Sequence, residues 1–450
     1  MNETIVGEET PSELPRDRHL FGPGPKRILS LDGGGIRGAI TIAFLERIEE
    51  LLEKHHGKGT RLCDWFDLIG GTSTGAIIAG ALALGHRAAE VKDFYLNRSD
   101  DVFKRQWSFY GLRARFRVHA LRREIEAVVG NRTLESRDLL TGLCIFTKRL
   151  DTGSPWILAN NPRAPYWHDG PKHTGNRHYK LATLVRASTA APIFFEPEIF
   201  QIIDREMPAV MRVATEDEPA GASTVKTNDR PLPSRFRIID RIRLLRRSPF
   251  NPQTHGIFVD GGVSPHGNPS LALFQMTQFK PLKICWPTGP GQLTVVSVGT
   301  GSYRPRLTFE SLLFPRNFRL SVHALFSFMN DAGQLVLTQM QWLGDTLTPW
   351  TINSEIGALG YDVPPGGKLF RFLRYDVRLE RDWLEGQLGV KRSQDDVERL
   401  RPMDRPASVH ELYEIGQAAA EKQITEEHWK ALLSPSSTDE TFAGMRSEPL

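Results

Sequence analysis

The sequence predicts an α/β protein with a mostly parallel central sheet, and one repeated pattern carries this prediction. Twice in succession, an apolar run ends in a glycine-rich turn that opens a helix. RILSL leads through GGGIRG into a helix over 39–54, and WFDLIG leads through GTSTG into the apolar helix 76–84. Consecutive strand–turn–helix units favour parallel strands covered by helices. The second helix is apolar all round, so we expect it to be buried on every side.

The same alternation continues along the chain to about residue 300. LRREIEAVV (121–129) predicts a helix and LCIFTKRL (143–150) a strand. GIFVDGG (256–262) and LTVVSVGTG (293–301) predict two further strands, each ending in glycines. Glycine turns therefore follow several of the predicted strands, which is where ligands bind in open parallel sheets.

Composition shifts divide the chain into five predicted stretches. Residues 1–25 are polar and rich in Pro and Gly, which indicates a flexible leader, and 434–450 indicate a disordered tail. The α/β domain covers 26–305, with a charged, Pro-rich surface insertion at about 201–254. A mainly helical C-terminal extension follows over 306–433.

Composition and charge exclude several classes of protein. The 450 residues are 40% hydrophobic and 24% charged, which are globular and not disordered values. A net charge of only +4 does not point to a nucleic-acid partner, and we expect none. Cys63, Cys144 and Cys285 are too far apart to indicate a disulfide framework or a zinc site. The first residues show no charged segment followed by an apolar stretch, so we expect no secretory signal and a cytoplasmic location.

Ser73 is the candidate nucleophile. It lies between Gly71 and Gly75 in a G-x-S-x-G turn that joins a predicted strand to a buried helix. Such a turn presents the hydroxyl on a sharp bend, and its glycines let the backbone turn tightly and a substrate approach. The adjoining helix N-terminus favours developing negative charge. A glycine-rich turn with an incidental serine is the competing interpretation.

The first glycine turn, DGGGIRG at 32–38, permits two interpretations. Successive amides at Gly33, Gly34 and Gly35 are what an oxyanion hole needs when a serine attacks a carbonyl. The same turn, completed by Gly38, matches the G-x-G-x-x-G dinucleotide fingerprint. That fingerprint requires an acidic residue at the end of the next strand, whereas here this strand ends in IGG. A nucleotide-binding or scaffold protein is therefore the alternative of a different class.

A serine nucleophile needs a base, either a histidine in a triad or a carboxylate acting directly. Asp260 follows the strand GIFV and precedes Gly261 and Gly262, so it is predicted at a strand end; a loop-capping aspartate is the alternative. A generic α/β-hydrolase esterase would instead need a histidine after its acid. The downstream histidines, none of them in a glycine-flanked turn, are His266, His323, His410 and His428.

Taken together, these motifs resemble those of the patatin-like phospholipase family. DGGGIRG at 32–38 is similar to the family's oxyanion-hole motif, GTSTG at 71–75 to its nucleophile elbow, and DGG at 260–262 to its catalytic aspartate motif. RASTAAPIFFEP at 186–197 and VVSVGTG at 295–301 support the resemblance. The three motifs occur in the family's order, each on a predicted strand-end turn.

The resemblance implies a three-layer α/β/α fold and a lipid acyl hydrolase of the phospholipase A type that uses no metal and no cofactor. Ser73 would be the nucleophile and Asp260 the base of a Ser–Asp dyad. The amides of the 33–35 glycines would hold the oxyanion, and Arg37 would hold that loop or meet a phosphate. An acyl-enzyme would form and then be hydrolysed by water.

The implied partner is a lipid ester at a membrane surface, which places the protein peripherally on a membrane. Regulation by a small molecule or a protein activator is a further expectation, because the insertion at 201–254 and the chain beyond 306 lie outside the firm part of the resemblance. Within the insertion, SRFRIIDRIRLLRRS (234–248) is interpreted as a solvated surface element, and docking on anionic lipid is the alternative.

Overall fold

The computed structural model describes most of the predicted domain and its C-terminal part. The described residues are 14–102, 116, 118–171, 173–203, 254–304 and 317–433. Their strands are β1 (Lys26–Leu31), β2 (Leu68–Thr72), β3 (Gly142–Arg149), β4 (Pro155–Ala159), β5 (Glu198–Gln201), β6 (His255–Asp260), β7 (Leu293–Val298), β8 (Gly344–Thr346) and β9 (Phe370–Tyr375).

Helices alternate with these strands and then dominate the C-terminal part. They are α1 (Pro15–Phe21), α2 (Gly38–His56), α3 (Leu62–Trp65), α4 (Thr74–Ala83), α5 (Ala88–Val102), α6 (Val118–Val129), α7 (Leu181–Ser188), α8 (Ser270–Gln278), α9 (Asn317–Leu343), α10 (Arg381–Trp383), α11 (Gln394–Leu400), α12 (Val409–Gln423) and α13 (Glu426–Leu433). Short 3₁₀ turns at Gly35–Arg37 and Gly261–Val263 follow β1 and β6 directly.

The strands form one sheet in the order β5-β6-β3-β2-β1-β7-β9-β8, with β4 paired to β3. Pairing is parallel from β3 through to β8, whereas β4 and β6 run antiparallel to β3. Leu31 pairs with Gly71, so β1 and β2 end side by side at one edge. Thr147 pairs with Asp260, which brings the end of β6 to the same edge. The predicted mostly parallel sheet is confirmed.

Each face of the sheet carries its own hydrophobic core, because side chains alternate along the central strands. Leu29 of β1 and Ile69 of β2 pack into a large core with α2, α4, α6 and α12. Their neighbours Ile28 and Leu68 pack into a second core with α1, α8 and α9. The helices therefore cover both faces, and this is the three-layer α/β/α arrangement that the family resemblance implies.

Residues 317–433 contain both helices and strands, and the strands complete the sheet. Strands β8 and β9, which the sequence analysis does not predict, add to the sheet beyond β7. Helix α12 packs closely on α2, where a Cβ on Gly416 would lie 2.9 Å from the Cα of Ile40. Residues 317–433 thus pack on the same sheet and helices as the residues before 304.

The predicted flexible leader differs from the structure in its second half. Helix α1 lies within it, with Arg16 and Leu20 buried, and Trp286 donates its indole N–H to the Leu20 carbonyl (2.8 Å). Two buried side chains in a Pro-rich segment are too sparse a pattern to indicate a packed helix. Residues 1–13, nearly all of the insertion and the tail over 434–450 lie outside the described residues.

Candidate active site

Ser73 forms the whole turn between β2 and α4. Its backbone has φ 56° and ψ −122°, a left-handed conformation that is strained for a residue other than glycine and is typical of a nucleophile turn. The Ser73 amide donates to Oγ of Ser188 (2.8 Å), which in turn donates to the Phe146 carbonyl (2.6 Å). The turn is therefore anchored to β3 through α7.

The flanking glycines are required by close packing. A Cβ on Gly71 would lie 2.1 Å from the carbonyl oxygen of Gly75, and a Cβ on Gly75 would lie 2.3 Å from that of Leu31. A Cβ on Gly38 would lie 2.4 Å from Cγ2 of Thr74. The start of α4 therefore packs against the backbone of β1 and β2, and the start of α2 packs against the Thr74 side chain, beside Ser73.

The structure brings Asp260 to Ser73, although 187 positions separate them in the sequence. The Ser73 hydroxyl lies close enough to the buried Asp260 carboxylate to lower its pKa, and both residues line one cavity. The carboxylate accepts a hydrogen bond from the Gly262 amide (2.7 Å). A Cβ on Gly261 would lie 2.5 Å from the Phe146 carbonyl oxygen, so the DGG motif also packs against β3.

Burial raises the pKa of Asp260 to about 6. The nearby Ser73 hydroxyl, the hydrogen bond from Gly262 and the charge of Arg186 act in the opposite direction and keep this pKa from rising further. Arg186 itself is fully buried and donates to the Glu196 carbonyl (2.6 Å). A carboxylate of this pKa is ionised at neutral pH and basic enough to take a proton from a serine.

The glycine turn after β1 lies against the same edge. The Gly33 amide donates to the Gly267 carbonyl (3.0 Å), so this predicted oxyanion donor is already engaged. The amides of Gly34 and Gly35 donate to no acceptor among the described residues. The Gly35 carbonyl accepts hydrogen bonds from the Tyr95 hydroxyl and from Oγ1 of Thr74 (3.0 Å). Two of the three predicted amides are therefore available to a ligand.

Arg37 holds the glycine turn in place, which is one of its two expected roles. It is buried, donates to the Gly301 carbonyl (2.8 Å) and lies 5.5 Å from the centre of the Tyr303 ring. From the opposite side, the Ile36 amide donates to the Met403 carbonyl (2.9 Å).

Asp32, the first residue of the turn, is held by a buried arginine that sequence reasoning missed. Arg374 of β9 makes a two-pronged ion pair with Asp32 (3.1 and 2.6 Å) and also contacts Asp376 (2.8 Å). Burial alone would lower the pKa of Arg374, but the two carboxylates raise it, so the guanidinium stays charged. We call Asp32, Arg374 and Asp376 the buried ion cluster. No local pattern marks its arginine in the sequence.

An apolar cavity opens above Ser73 and Asp260. Helices α5, α6 and α9 and the segment after α7 supply most of its wall, including Phe94, Leu121, Ile125, Phe194, Phe195 and Leu325. None of the described histidines lines it. An extended apolar cavity beside a serine and two free amides suits a substrate with a hydrocarbon chain and a carbonyl.

The histidine-triad alternative finds no support in this geometry. His266 stacks on Phe146 (ring centres 5.3 Å apart), and its Nδ1 contacts Oγ of Ser264 (2.9 Å). His323 lies beside Ser327 of its own helix (3.3 Å). The other two candidates, His410 and His428, lie on α12 and α13.

The dinucleotide alternative is also disfavoured. A Rossmann turn needs an open helix N-terminus to receive a pyrophosphate. Here the N-terminus of α2 is covered, because Gly38 packs directly against Thr74 and the Tyr95 hydroxyl.

The chain belongs to the patatin-like phospholipase family, whose model matches residues 29–273. It is 35% identical over 177 residues to a cGAMP-activated phospholipase of Escherichia coli (strain TW11681), covering 38% of this chain and 48% of the relative. It is 36% identical over 184 residues to a cGAMP-activated phospholipase of Vibrio cholerae, covering 38% and 49%. A cUMP-AMP-activated phospholipase of Escherichia coli is 34% identical over 173 residues, with coverage of 38% and 49%. The chain thus matches about half the length of these curated relatives.

Among solved structures, the chain is similar to human GIVD cytosolic phospholipase A2. The likeness has a TM-score of 0.39 and 11% sequence identity, and it covers 91% of this chain and 59% of the other. Within the described residues, no helix is both long and apolar enough to cross a membrane. No group of His, Cys, Asp and Glu side chains suited to a metal ion occurs in the same residues.

Proposed function

We propose that the protein is a lipid acyl hydrolase that cleaves fatty acyl esters through Ser73 and Asp260. One observation carries the proposal: Ser73, on a strained backbone turn, and the buried carboxylate of Asp260 lie together in the wall of one apolar cavity. The free amides of Gly34 and Gly35 in the wall of that cavity support it. Family membership adds the expectation of phospholipase chemistry.

In this mechanism, Asp260 takes the Ser73 proton as Oγ attacks the ester carbonyl. Negative charge develops on the carbonyl oxygen, and the Gly34 and Gly35 amides stabilise it. The tetrahedral intermediate collapses, the C–O bond to the alcohol breaks, and Asp260 returns its proton to that alcohol. Water, deprotonated by Asp260, then attacks the acyl-enzyme and releases the fatty acid and free Ser73.

Labelling with a fluorescent fluorophosphonate, together with fatty-acid release from mixed phospholipid vesicles in EDTA, tests the proposal. We expect covalent labelling and release to occur together and to persist in the chelator. A folded protein that is not labelled and releases no fatty acid, either alone or with a cyclic dinucleotide present, would contradict the hydrolase proposal.

The pH dependence of labelling follows from the raised pKa of Asp260, which is about 6. Asp260 must be ionised to accept a proton, so the labelling rate is maximal above this pKa and declines as the pH falls through it. We expect a rising limb with its midpoint near pH 6 and about a tenfold loss per pH unit below it. Labelling rates between about pH 5 and pH 8 measure the limb, and a flat profile in folded protein contradicts Asp260 as the base.

Gly34→Ala should disable the oxyanion loop through a steric clash. The new Cβ would lie 2.1 Å from Oγ1 and 2.4 Å from Cβ of Thr300. The φ of Gly34 is −177°, an extended value open to any residue, so backbone strain plays no part. Displacing one oxyanion donor typically lowers the rate by about 10²- to 10³-fold.

Thr300→Gly provides the matched control for this prediction. Combined with Gly34→Ala, it removes the clashing atoms, and we expect it to restore most of the labelling rate. Thr300→Gly alone measures the loss of the hydrogen bond from Thr300 to the Gly33 carbonyl (3.0 Å). Unimpaired labelling by the Gly34→Ala single variant would show that this loop does not hold the oxyanion.

A small-molecule activator is the second part of the proposal. The relatives named above as cGAMP-activated and cUMP-AMP-activated phospholipases support a cyclic dinucleotide as its chemical class. We expect one such compound to raise fatty-acid release at micromolar concentration, while its linear counterpart does not. Equal rates of fatty-acid release with and without a panel of cyclic dinucleotides would contradict the activator proposal. The hydrolase proposal would not be affected.

A further inference from the structure

Helix α9 carries large apolar side chains on the side that faces solvent. Leu320, Phe328 and Leu335 are 48%, 57% and 60% exposed, and Trp342 is 36% exposed. Spacings of eight, seven and seven residues place all four on one face of an α-helix. We call this set the α9 stripe. Asp331 is the charged residue that interrupts it.

The opposite face of α9 is also apolar. Phe326 and Met329 line the cavity above Ser73, while Val336 and Met340 are buried in the second core. An ordinary surface helix presents polar side chains to water on its outer face. The α9 stripe departs from that rule, and contiguous exposed apolar surface marks a site of contact with a protein or a membrane.

The loop between β8 and β9 carries further exposed apolar side chains. Gln341 donates from Nε2 to the carbonyls of Trp350 and Ala358 (2.9 Å each), which ties the loop to the end of α9. Tyr361 is fully exposed on the loop and Val363 is 65% exposed. Of the twelve large apolar side chains exposed in the described part of the chain, seven lie between residues 320 and 363. More than half of them therefore lie on α9 or in the loop tied to its end.

We propose that the α9 stripe, with Tyr361 and Val363, docks on a lipid bilayer. The inference rests on the proposed function, because that function requires a substrate that resides in a bilayer. The same helix separates this surface from the cavity above Ser73. A lipid that leaves the bilayer there has only the thickness of one helix, about 10 Å, to pass.

The chemistry of the surface also favours a bilayer. Shallow insertion of Leu, Phe and Trp side chains drives peripheral binding in proportion to the apolar area buried, and Trp and Tyr prefer the headgroup level. Lys368 donates to the Trp342 carbonyl (3.0 Å), which places a cation at the C-terminal end of the stripe. The carboxylates of Asp345 and Asp362 act on the same ammonium, so the apolar side chains and not the charge carry the attraction to a bilayer.

Phe328→Gln and Leu335→Gln, each in a Ser73→Ala background, test the inference by co-sedimentation with vesicles of phosphatidylcholine and phosphatidylglycerol. We expect each change to weaken vesicle binding by about tenfold, since each removes one inserting side chain. Phe279→Gln is the matched control, because Phe279 is 54% exposed but lies at the end of α8. Its vesicle binding should equal that of the parent.

The same changes in the active protein separate this inference from the proposed function. Hydrolysis of a water-soluble short-chain ester should be unchanged, while hydrolysis of vesicle lipid falls in step with binding. Vesicle binding by the α9 variants equal to that of the parent, or lowered no more than in Phe279→Gln, overturns the inference. A loss of self-association in the α9 variants without a loss of vesicle binding overturns it in favour of a second copy of the chain. Because binding is measured without catalysis, failure of the hydrolase proposal leaves this test valid.

Discussion

Ser73→Ala should abolish fluorophosphonate labelling and lower fatty-acid release by about 10⁴-fold or more, since removing a nucleophile leaves only binding and oxyanion stabilisation. Asp260→Asn should lower labelling and fatty-acid release almost as much as Ser73→Ala. The amide is almost isosteric, and its oxygen keeps the hydrogen bond from the Gly262 amide, but it cannot accept the Ser73 proton. Labelling rates and vesicle hydrolysis measure both variants.

Asp345→Asn is the matched control, because Asp345 is 43% exposed on β8 and lies outside the cavity. It should label like the wild type. Normal labelling of Asp260→Asn combined with loss of labelling in His266→Asn would contradict the dyad and favour the histidine triad instead. Circular dichroism of each variant establishes that the fold is retained.

Arg374→Met should lower the free energy of unfolding by about 3–5 kcal/mol. The change leaves the Asp32 and Asp376 carboxylates buried without their counter-ion, and an uncompensated buried charge costs far more than a lost surface pair. It also releases Asp32 at the start of the glycine turn, so we expect the folded fraction to label slowly. Urea unfolding followed by tryptophan fluorescence measures the stability.

Arg392→Met is the control for this prediction. Its ion pair with Glu411 is about one third exposed on both sides, and pairs of this kind contribute about 1 kcal/mol or less. Arg374→Lys should recover part of the stability, because a single ammonium cannot form the two-pronged contact with Asp32. A stability of Arg374→Met equal to that of Arg392→Met would show that the buried ion cluster does not brace the fold.

Local sequence predicts the parts of the molecule in which a glycine turn follows an apolar strand. Ser73 and Asp260 each follow such a strand and precede glycines, which predicts that both lie at strand ends. The register of β2, β3 and β6 brings these two strand ends together. The two interpretations of the glycine turn could not be separated by pattern alone. Packing separates them, because the contact of Gly38 with Thr74 is a tertiary feature.

The parts that were missed depend on distant partners. Strand β9 (FRFLRY) was not predicted because two arginines interrupt its apolar run, and Arg374 is tolerated there only because Asp32 and Asp376 neutralise it. Asp32 and Arg374 are 342 positions apart. The hydrogen bond from the glycine turn to the Met403 carbonyl also cannot be predicted from the sequence, because any residue can supply a carbonyl.

The position of Arg374 also determines when the protein can become active during its synthesis. Its ion pair with Asp32 and the packing of α12 on α2 join segments that are more than 300 residues apart, so these contacts form only after α12 has left the ribosome. Contacts of such long sequence separation form late in folding. We therefore expect the nascent chain to carry its nucleophile turn long before it can stabilise an oxyanion. The proposed hydrolase site would thus be completed only after Arg374 and α12 have been synthesised.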